Sequence, residues 1–420
     1  MKIVYKLTFY SFIFTLLSNG GLMSCLNQST ASQQIQIKDS NNTQGVLVKD
    51  ISVGAENLSA FVPLLKNKRV GLLVNHTSRV GSKHLIDTLL ALNVNVEKIF
   101  SPEHGFKGTA SAGEKIDDST ISAFKPVTVI SLYGKRRKPL ASDLQDVDIV
   151  VFDLQDVGAR FYTYISTMQL MMEACAEHDL PMIILDRPNP NGHYVDGPVL
   201  KDAYRSFVGM QDIPVVHGMT VGELALMINA EGWLGDRPEL DLRVIKNVNY
   251  THLKPYDLPV GPSPNLPDQI SVLLYPSLCF FEGTPISIGR GTKKPFSVVG
   301  HPDYRNLPYV FIPASNPGAK NPKLKGEKCY GYDLSKMSAI DFRGKSKINL
   351  EWLIEFYQNW DNEQPFFNEN NWFDKLAGTD QLRKQILAGM SEEKIRESWQ
   401  ADLEAFKVKR KKYLLYPDFE

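Results

Sequence analysis

Short apolar runs alternate with helical patterns through the middle of the chain. Continuous apolar or β-branched stretches predict strands over Arg69–Val74, Val96–Phe100, Val127–Leu132, Asp148–Phe152 and Met182–Leu185. Runs that are apolar at every position suit strands buried on both faces. Between them, Leu85, Ile86, Leu89, Leu90 and Leu92 recur at helical spacing, as do Ile165, Met168, Met172 and Cys175. Thr220-x-x-Glu223 ahead of Leu224, Met227 and Ile228 is a capping box that opens a further helix. Strand alternating with helix implies right-handed crossovers and an α/β fold with a Rossmann-like, open, mostly parallel sheet and flanking helices.

The proline-dense stretch Pro259–Pro267 marks a boundary between two lobes, about 46–265 and 266–420. Beyond it lie short mixed runs, Leu278–Thr284 and Ile286–Thr292, then Ala314–Lys328, whose Pro, Gly, Lys and Asn predict an exposed loop. The C-terminus reads as helices over Leu350–Trp360, Leu382–Met390 and Ser391–Leu414.

The first 45 residues follow a different pattern. Lys2 and Lys6 precede an apolar stretch, Leu7–Leu17, too short to span a bilayer. Leu22-Met-Ser-Cys25 resembles a bacterial lipobox, in which the chain is cut before the cysteine and its thiol is lipidated. The expectation is a leader over 1–24, a lipid on Cys25 and a polar, flexible tether over 25–45, with the protein held outside the cytoplasm. Lipid-anchored attachment is then the sole membrane contact.

Composition narrows the classes further. The 420 residues are 43% hydrophobic, with 47 basic and 47 acidic side chains. Such a chain can bury large cores, and its charge balance gives no sign of a nucleic-acid partner. Lys135-Arg136-Arg137-Lys138, the one dense basic cluster, reads as a solvated loop. Past the leader, Cys175, Cys279 and Cys329 make an odd count without CxxC spacing, hence neither a disulfide framework nor a zinc site. No G-x-G-x-x-G, Walker motif, G-x-S-x-G elbow or H-E-x-x-H is present, so no cofactor or metal is implied.

Polar residues concentrate where the predicted strands end, which is where open α/β sheets bind ligands. The five ends carry Asn75-His76-Thr77-Ser78, Ser101-Pro-Glu-His-Gly105, Leu132-Tyr-Gly134, Asp153 to Tyr162, and Asp186-Arg-Pro-Asn-Pro-Asn-Gly192. Glu103, beside His104 and Gly105, is a candidate general acid. Asp153, Gln155 and Asp156 cluster at the next end, where capping the helix that contains Met168 is an alternative role for Asp156 and makes it the weaker site candidate. Arg160, Phe161, Tyr162 and Tyr164 pair a cation with aromatic planes, a combination that suits an acidic sugar. Asp186, Arg187 and Asn189 stand on a proline-stiffened loop suited to ligand hydroxyls.

Several long motifs resemble the NamZ (YbbC-like) family. They are Ser101-Pro-Glu-His-Gly-Phe106, Ser131-Leu-Tyr-Gly134, Val151 to Tyr164, Leu185-Asp-Arg-Pro-Asn-Pro190, His217-Gly-Met-Thr220, Phe281-Glu-Gly-Thr284 and Gly289-Arg-Gly-Thr292. The resemblance implies a Rossmann-like catalytic domain and a smaller α+β auxiliary domain. It implies an exo-β-N-acetylmuramidase that releases N-acetylmuramic acid from the non-reducing end of peptidoglycan fragments without a cofactor. Glu103 matches the family's leading catalytic candidate, with Asp153 or Glu282 as its partner. Asn75, His104, Gln155, Arg160, Tyr162, Asp186, Arg187, Asn189 and Arg290 are the candidate substrate contacts. The sequence departs from the commonest family pattern at Pro285 and Ile288, where many members carry Asn and Glu. Two carboxylates can do the chemistry, or the substrate's own acetamide oxygen can attack. Two other readings stay open: a lipoprotein that binds muropeptides without cleaving them, and a metal-dependent hydrolase using His76, Glu103, His104, Asp153 and Asp186.

Overall fold

The structure, a computed structural model, describes residues 50–110, 119–122, 126–134, 136–237 and 239–420. Cys25, the leader and the tether lie outside the described residues. Among the described residues, nine strands precede residue 250: β1 (Val70–Val74), β2 (Arg79–Val80), β3 (Lys83–His84), β4 (Val96–Ser101), β5 (Ser119–Ser122), β6 (Pro126–Ser131), β7 (Ile149–Asp153), β8 (Met182–Leu185) and β9 (Leu242–Ile245). Seven of them form one sheet in the order β5-β6-β4-β1-β7-β8-β9. Six are parallel, and β5 closes the edge antiparallel to β6. The chain builds outward from β1 through β4 to β6, then returns to pair β7 with the other side of β1. That reversal is the topological switch point of a Rossmann-like sheet.

Continuous apolar strands follow from having two covered faces. Val70, Leu72, Val74, Ile99, Val151 and Ile183 pack on one side with Phe61, Leu85 and Leu89. Leu73, Phe100, Val150, Phe152 and Ile184 face the other side, against Met168 and Met172 of helix Tyr164–Glu177 and Leu224 and Ile228 of helix Val221–Ala230. The Thr220 capping box is formed: its hydroxyl accepts from Glu223 N, and the Glu223 carboxylate accepts from Thr220 N at 2.9 Å. Cys175 is fully buried on the apolar stripe.

The second core cluster continues without a break into the C-terminal half. There β10 (Val298–His301), β11 (Tyr309–Phe311) and β12 (Cys329–Asp333) form a small antiparallel sheet, ordered β10-β12-β11, surrounded by helices. The apolar face expected over 391–414 exists, but on two helices, Glu392–Glu397 and Gln400–Arg410. They break where the Ser398 hydroxyl donates to Ile395 O at 2.6 Å and Trp399 turns inward, 4% exposed. The loop over 314–328 is mostly exposed, as expected, but it is anchored at three points. Ala319 and Pro322 are buried, and the Lys323 amine reaches inward to the carbonyls of Phe281, Thr284 and Ile286. A buried ammonium is tolerated where carbonyl oxygens replace its water.

Candidate active site

A cavity of about 440 Å³ opens over the carboxyl ends of β4 and β6 and the long loop after β7. Its volume falls within the range of about 300–1,000 Å³ that suits small-molecule ligands. Both halves of the chain line it. Glu103, His104, Tyr133, Arg137, Phe161–Tyr164 and Phe207 come from one, and Tyr275, Glu282, Arg290, Phe296, Trp372 and Lys375 from the other.

Glu103 sits in the turn that follows β4. The Thr163 hydroxyl, just ahead of helix Tyr164–Glu177, donates to its Oε2 at 2.9 Å and fixes the carboxyl. His104 adopts φ 68°, a left-handed conformation that reverses the chain directly beside the carboxylate. Its Nδ1 lies 2.7 Å from Ala110 O, so the ring donates there. Burial keeps His104 neutral, pushing its pKa down against the opposing pull of Glu103. Nε2 is thereby left as an acceptor.

Glu282 stands on the 3-10 segment Cys279–Gly283, which follows helix Gln269–Leu278. Arg290 binds its Oε1 through Nε at 2.8 Å and Nη2 at 2.5 Å, and lies over the Phe296 ring at 4.9 Å. Burial works against the Arg290 charge, but adjacent Glu282 outweighs it and holds the guanidinium protonated. Gly283 allows this turn to meet helix Trp372–Ala377: a Cβ there would lie 2.6 Å from the Phe373 Cα. The same helix brings Trp372 and Lys375 to the cavity.

One wall is aromatic. Tyr162 and Tyr164 meet edge to face at 4.7 Å, and Tyr275 abuts Phe161, Tyr162 and Phe296. Both tyrosine hydroxyls donate to the Pro262 carbonyl, at 2.9 and 3.2 Å. The proline-dense stretch is therefore part of the site: Ser263 and Leu266 line the cavity, and His76 Nε2 holds Gly261 O at 2.9 Å.

Of the residues singled out from sequence, Glu103, His104, Phe161, Tyr162, Tyr164, Glu282 and Arg290 line this cavity. The others lie elsewhere. Asp153 and Arg187 form a buried ion pair, 0% and 3% exposed, with Nε–Oδ1 2.5 Å and Nη2–Oδ2 2.9 Å. Arg160 is fully buried and donates to the carbonyls of Pro198, Ile213 and Leu376. Asn75 holds the Tyr164 hydroxyl at 2.8 Å and the Thr77 N–H at 2.9 Å. Gln155 donates to the Asp156 and Pro188 carbonyls, and Asn189 to Met219 O. Asp186 accepts from Tyr416, Thr220 and Gly222, which docks the C-terminal tail and the 221–230 helix. Asp156 does not cap the helix at 164; its Oδ2 accepts from Gly158 N at 2.6 Å. Apart from the Asp153–Arg187 charge pair, most of these residues share one physical reason. Long irregular loops leave backbone N–H and C=O groups that need partners, and buried side chains supply them. The switch-point crevice is thus filled by the protein itself.

Sequence reasoning missed Thr163, Arg137, Phe207, Tyr275, Trp372 and Lys375 as site residues. Arg137 belongs to the basic cluster read as a solvated loop. In fact Arg136 pairs with Asp143 and Lys138 with Glu173 and Glu177, whereas Arg137 lies over the Phe207 ring at 4.2 Å on the cavity wall. Among the described residues, no three His, Cys, Asp or Glu side chains converge in a way that could hold a metal ion.

A Rossmann-like sheet carrying a cavity with two carboxylates, cations and an aromatic wall has the means for acid–base chemistry on a polar, ring-shaped ligand. The family model described as exo-beta-N-acetylmuramidase NamZ, N-terminal, matches residues 70–270, and its C-terminal counterpart matches residues 273–416. The chain belongs to this family. It is 39% identical over 370 residues to the peptidoglycan beta-N-acetylmuramidase NamZ of Bacillus subtilis (strain 168), covering 84% of this chain and 88% of that one. Two crystal structures of DUF1343 family proteins from Bacteroides fragilis share its fold. One is 49% identical with a TM-score of 0.81, over 88% of this chain and 100% of that one. The other is 30% identical with a TM-score of 0.71, over 87% and 99%.

Proposed function

We propose that the protein is an exo-β-N-acetylmuramidase that releases N-acetylmuramic acid from the non-reducing ends of peptidoglycan fragments in cell-wall turnover or salvage. The observation that carries this reading is the meeting of Glu103 and Glu282, from the two halves of the chain, in one cavity with aromatic walls. Family membership and the Bacillus subtilis relative support it. Glu103 gives its proton to the departing glycosidic oxygen as the bond from the anomeric carbon breaks. Water adds to that carbon and returns a proton to the enzyme. Glu282, anchored by Arg290, is the second carboxylate available to the reacting centre.

The test is hydrolysis of a chromogenic β-N-acetylmuramide and of a natural disaccharide, by wild type and by Glu103→Gln. General acid catalysis supplies about 10²–10⁴-fold in rate. The variant should lose that factor on the disaccharide and less on a phenolic leaving group, which hardly needs a proton. Near-normal turnover on both would remove Glu103 from the mechanism.

We also propose that the 46–265 half is the catalytic domain, that the 266–420 half is an auxiliary domain which lends Glu282 to the site, and that Cys25 is lipidated. The leader pattern and the polar tether support an anchor outside the cytoplasm of a bacterial cell. Cys25→Ala should leave the protein unprocessed or release it from the membrane fraction, and unchanged processing with unchanged attachment would refute the anchor.

A further inference from the structure

The cations of the cavity can be sorted by what already holds them. Arg290 is engaged by Glu282, while Arg160 and Arg187, the other arginines the sequence suggests, are buried against carbonyls and Asp153. Two cavity-lining cations remain, Arg137 and Lys375. Neither has an ion pair or side-chain hydrogen bond among the described residues. The carboxylate next to Lys375, Asp374, is taken by Arg383 at 2.7 and 2.8 Å.

Arg137 is also set up to bind. Its guanidinium lies over the Phe207 ring, itself in contact with Tyr133 at 6.4 Å. The ring contact restrains the side chain, and the guanidinium N–H donors, which have no side-chain acceptor among the described residues, fit a carboxylate in a two-point fork. Lys375 adds a second positive charge to the same cavity.

We infer that Arg137 and Lys375 form the anion subsite that selects muramic acid, by binding the carboxylate of its 3-O-lactyl group. This inference rests on the proposed muramidase reading. N-acetylglucosamine has the same ring and acetamide but no carboxylate, so the subsite distinguishes the two sugars. A charge-assisted hydrogen-bonded pair of this kind discriminates roughly ten- to hundredfold.

The experiment measures binding of N-acetylmuramic acid and N-acetylglucosamine by calorimetry, and hydrolysis of the chromogenic muramide, on the full chain. The proteins are wild type, Arg137→Met, Lys375→Met, the double variant and Arg137→Lys. The double variant should bind the muramic sugar ten- to hundredfold more weakly and leave N-acetylglucosamine binding unchanged. It should raise KM with kcat within a few-fold, and it should lose the salt sensitivity of muramic acid binding. Arg137→Lys should restore charge without the fork and recover part of the loss. Unaltered discrimination in the double variant would overturn the inference. So would a wild type that binds the two sugars equally. A wild type that discriminates in binding but cleaves nothing would refute the hydrolase and leave the subsite standing.

Discussion

Asp153→Asn separates a carboxylate that acts from one that supports. Asp153 ends β7 at the centre of the sheet, and its two oxygens take Arg187 Nε at 2.5 Å and Nη2 at 2.9 Å. Arg187 Nη2 also donates to Arg79 O at 3.0 Å, so the pair ties the strand end to the β2 hairpin. Burial opposes the Arg187 charge, and Asp153 more than compensates, keeping it protonated. Asparagine preserves the shape but leaves that charge without a counter-ion and turns an amide N–H₂ toward N–H donors. Breaking one side of a buried pair costs about 3–5 kcal/mol. That is a large part of the roughly 5–15 kcal/mol that holds a domain together. Urea unfolding of the full chain should show this loss, while the molecules that stay folded keep near-normal kcat on the chromogenic muramide. Adding Arg187→Met removes the orphan charge, so the double variant should be more stable than Asp153→Asn alone, a non-additivity expected of contacting residues. An unchanged urea midpoint with turnover reduced ~10²-fold or more, the scale of a lost acid or base, would make Asp153 a catalytic carboxylate and refute its structural role.

Lys323→Met keeps the stem but deprives the carbonyls around the Glu282 turn of their charged donor; a loss of about 1.5–3 kcal/mol, the worth of a hydrogen bond to a charged group, should appear in the unfolding midpoint, and an unchanged midpoint would show that the turn holds itself. Gly283→Ala drives a Cβ into Phe373; overpacking should cost about 1–3 kcal/mol and weaken sugar binding by displacing Trp372 and Lys375, whereas a variant of full stability would contradict the close approach. His217 is 1% exposed, and burial, aided by positive Arg410, pushes its pKa down to about 3. The unfolded chain therefore takes up this proton first, so stability is full above pH 6.5 and falls as the pH drops toward 3, by about 2 kcal/mol at pH 5. His217→Asn should flatten the acid limb of a stability profile by that amount, and an identical limb would remove His217 as its source.

Most of the N-terminal half was legible because its signals are local and mutually consistent. The five expected strands all appear, within a residue or so at each end, since double-faced burial leaves an unambiguous apolar run. β9 escaped notice because it lies at the sheet edge, where Arg243 is exposed and the run Leu242–Ile245 alternates weakly. β10, β11 and β12 are short strands whose pairing depends on contacts far along the chain, and Tyr309–Phe311 carries no turn signal that sets its register. The single long C-terminal helix was a fair reading of a periodic face, but periodicity does not register a break at Ser398 that leaves the apolar face in place.

The site was harder to read for a reason that lies in hydrogen-bond economy rather than in motif length. Asp153, Arg160, Asp186, Arg187 and Asn189 have the residue types of a sugar-binding crevice, and they stand at strand ends where ligands are expected. Each is instead used up inside the protein, by a counter-charge, a set of carbonyls or the C-terminal tail. What distinguishes Glu103, His104 and Arg137 is that they reach a cavity as well as a neighbour, and one-dimensional spacing does not reveal this. The cavity itself depends on residues more than 200 positions apart, since Trp372 and Lys375 line it together with Glu103. Those contributions come from a helix whose sequence, Trp-Phe-Asp-Lys-Leu-Ala, reads as an ordinary amphipathic turn. A long ordered motif in such a fold therefore marks the segment that builds a site, while the charges and hydrogen-bonding groups that reach the cavity, inside such motifs or outside them as at Arg137 and Lys375, mark the atoms that meet the ligand.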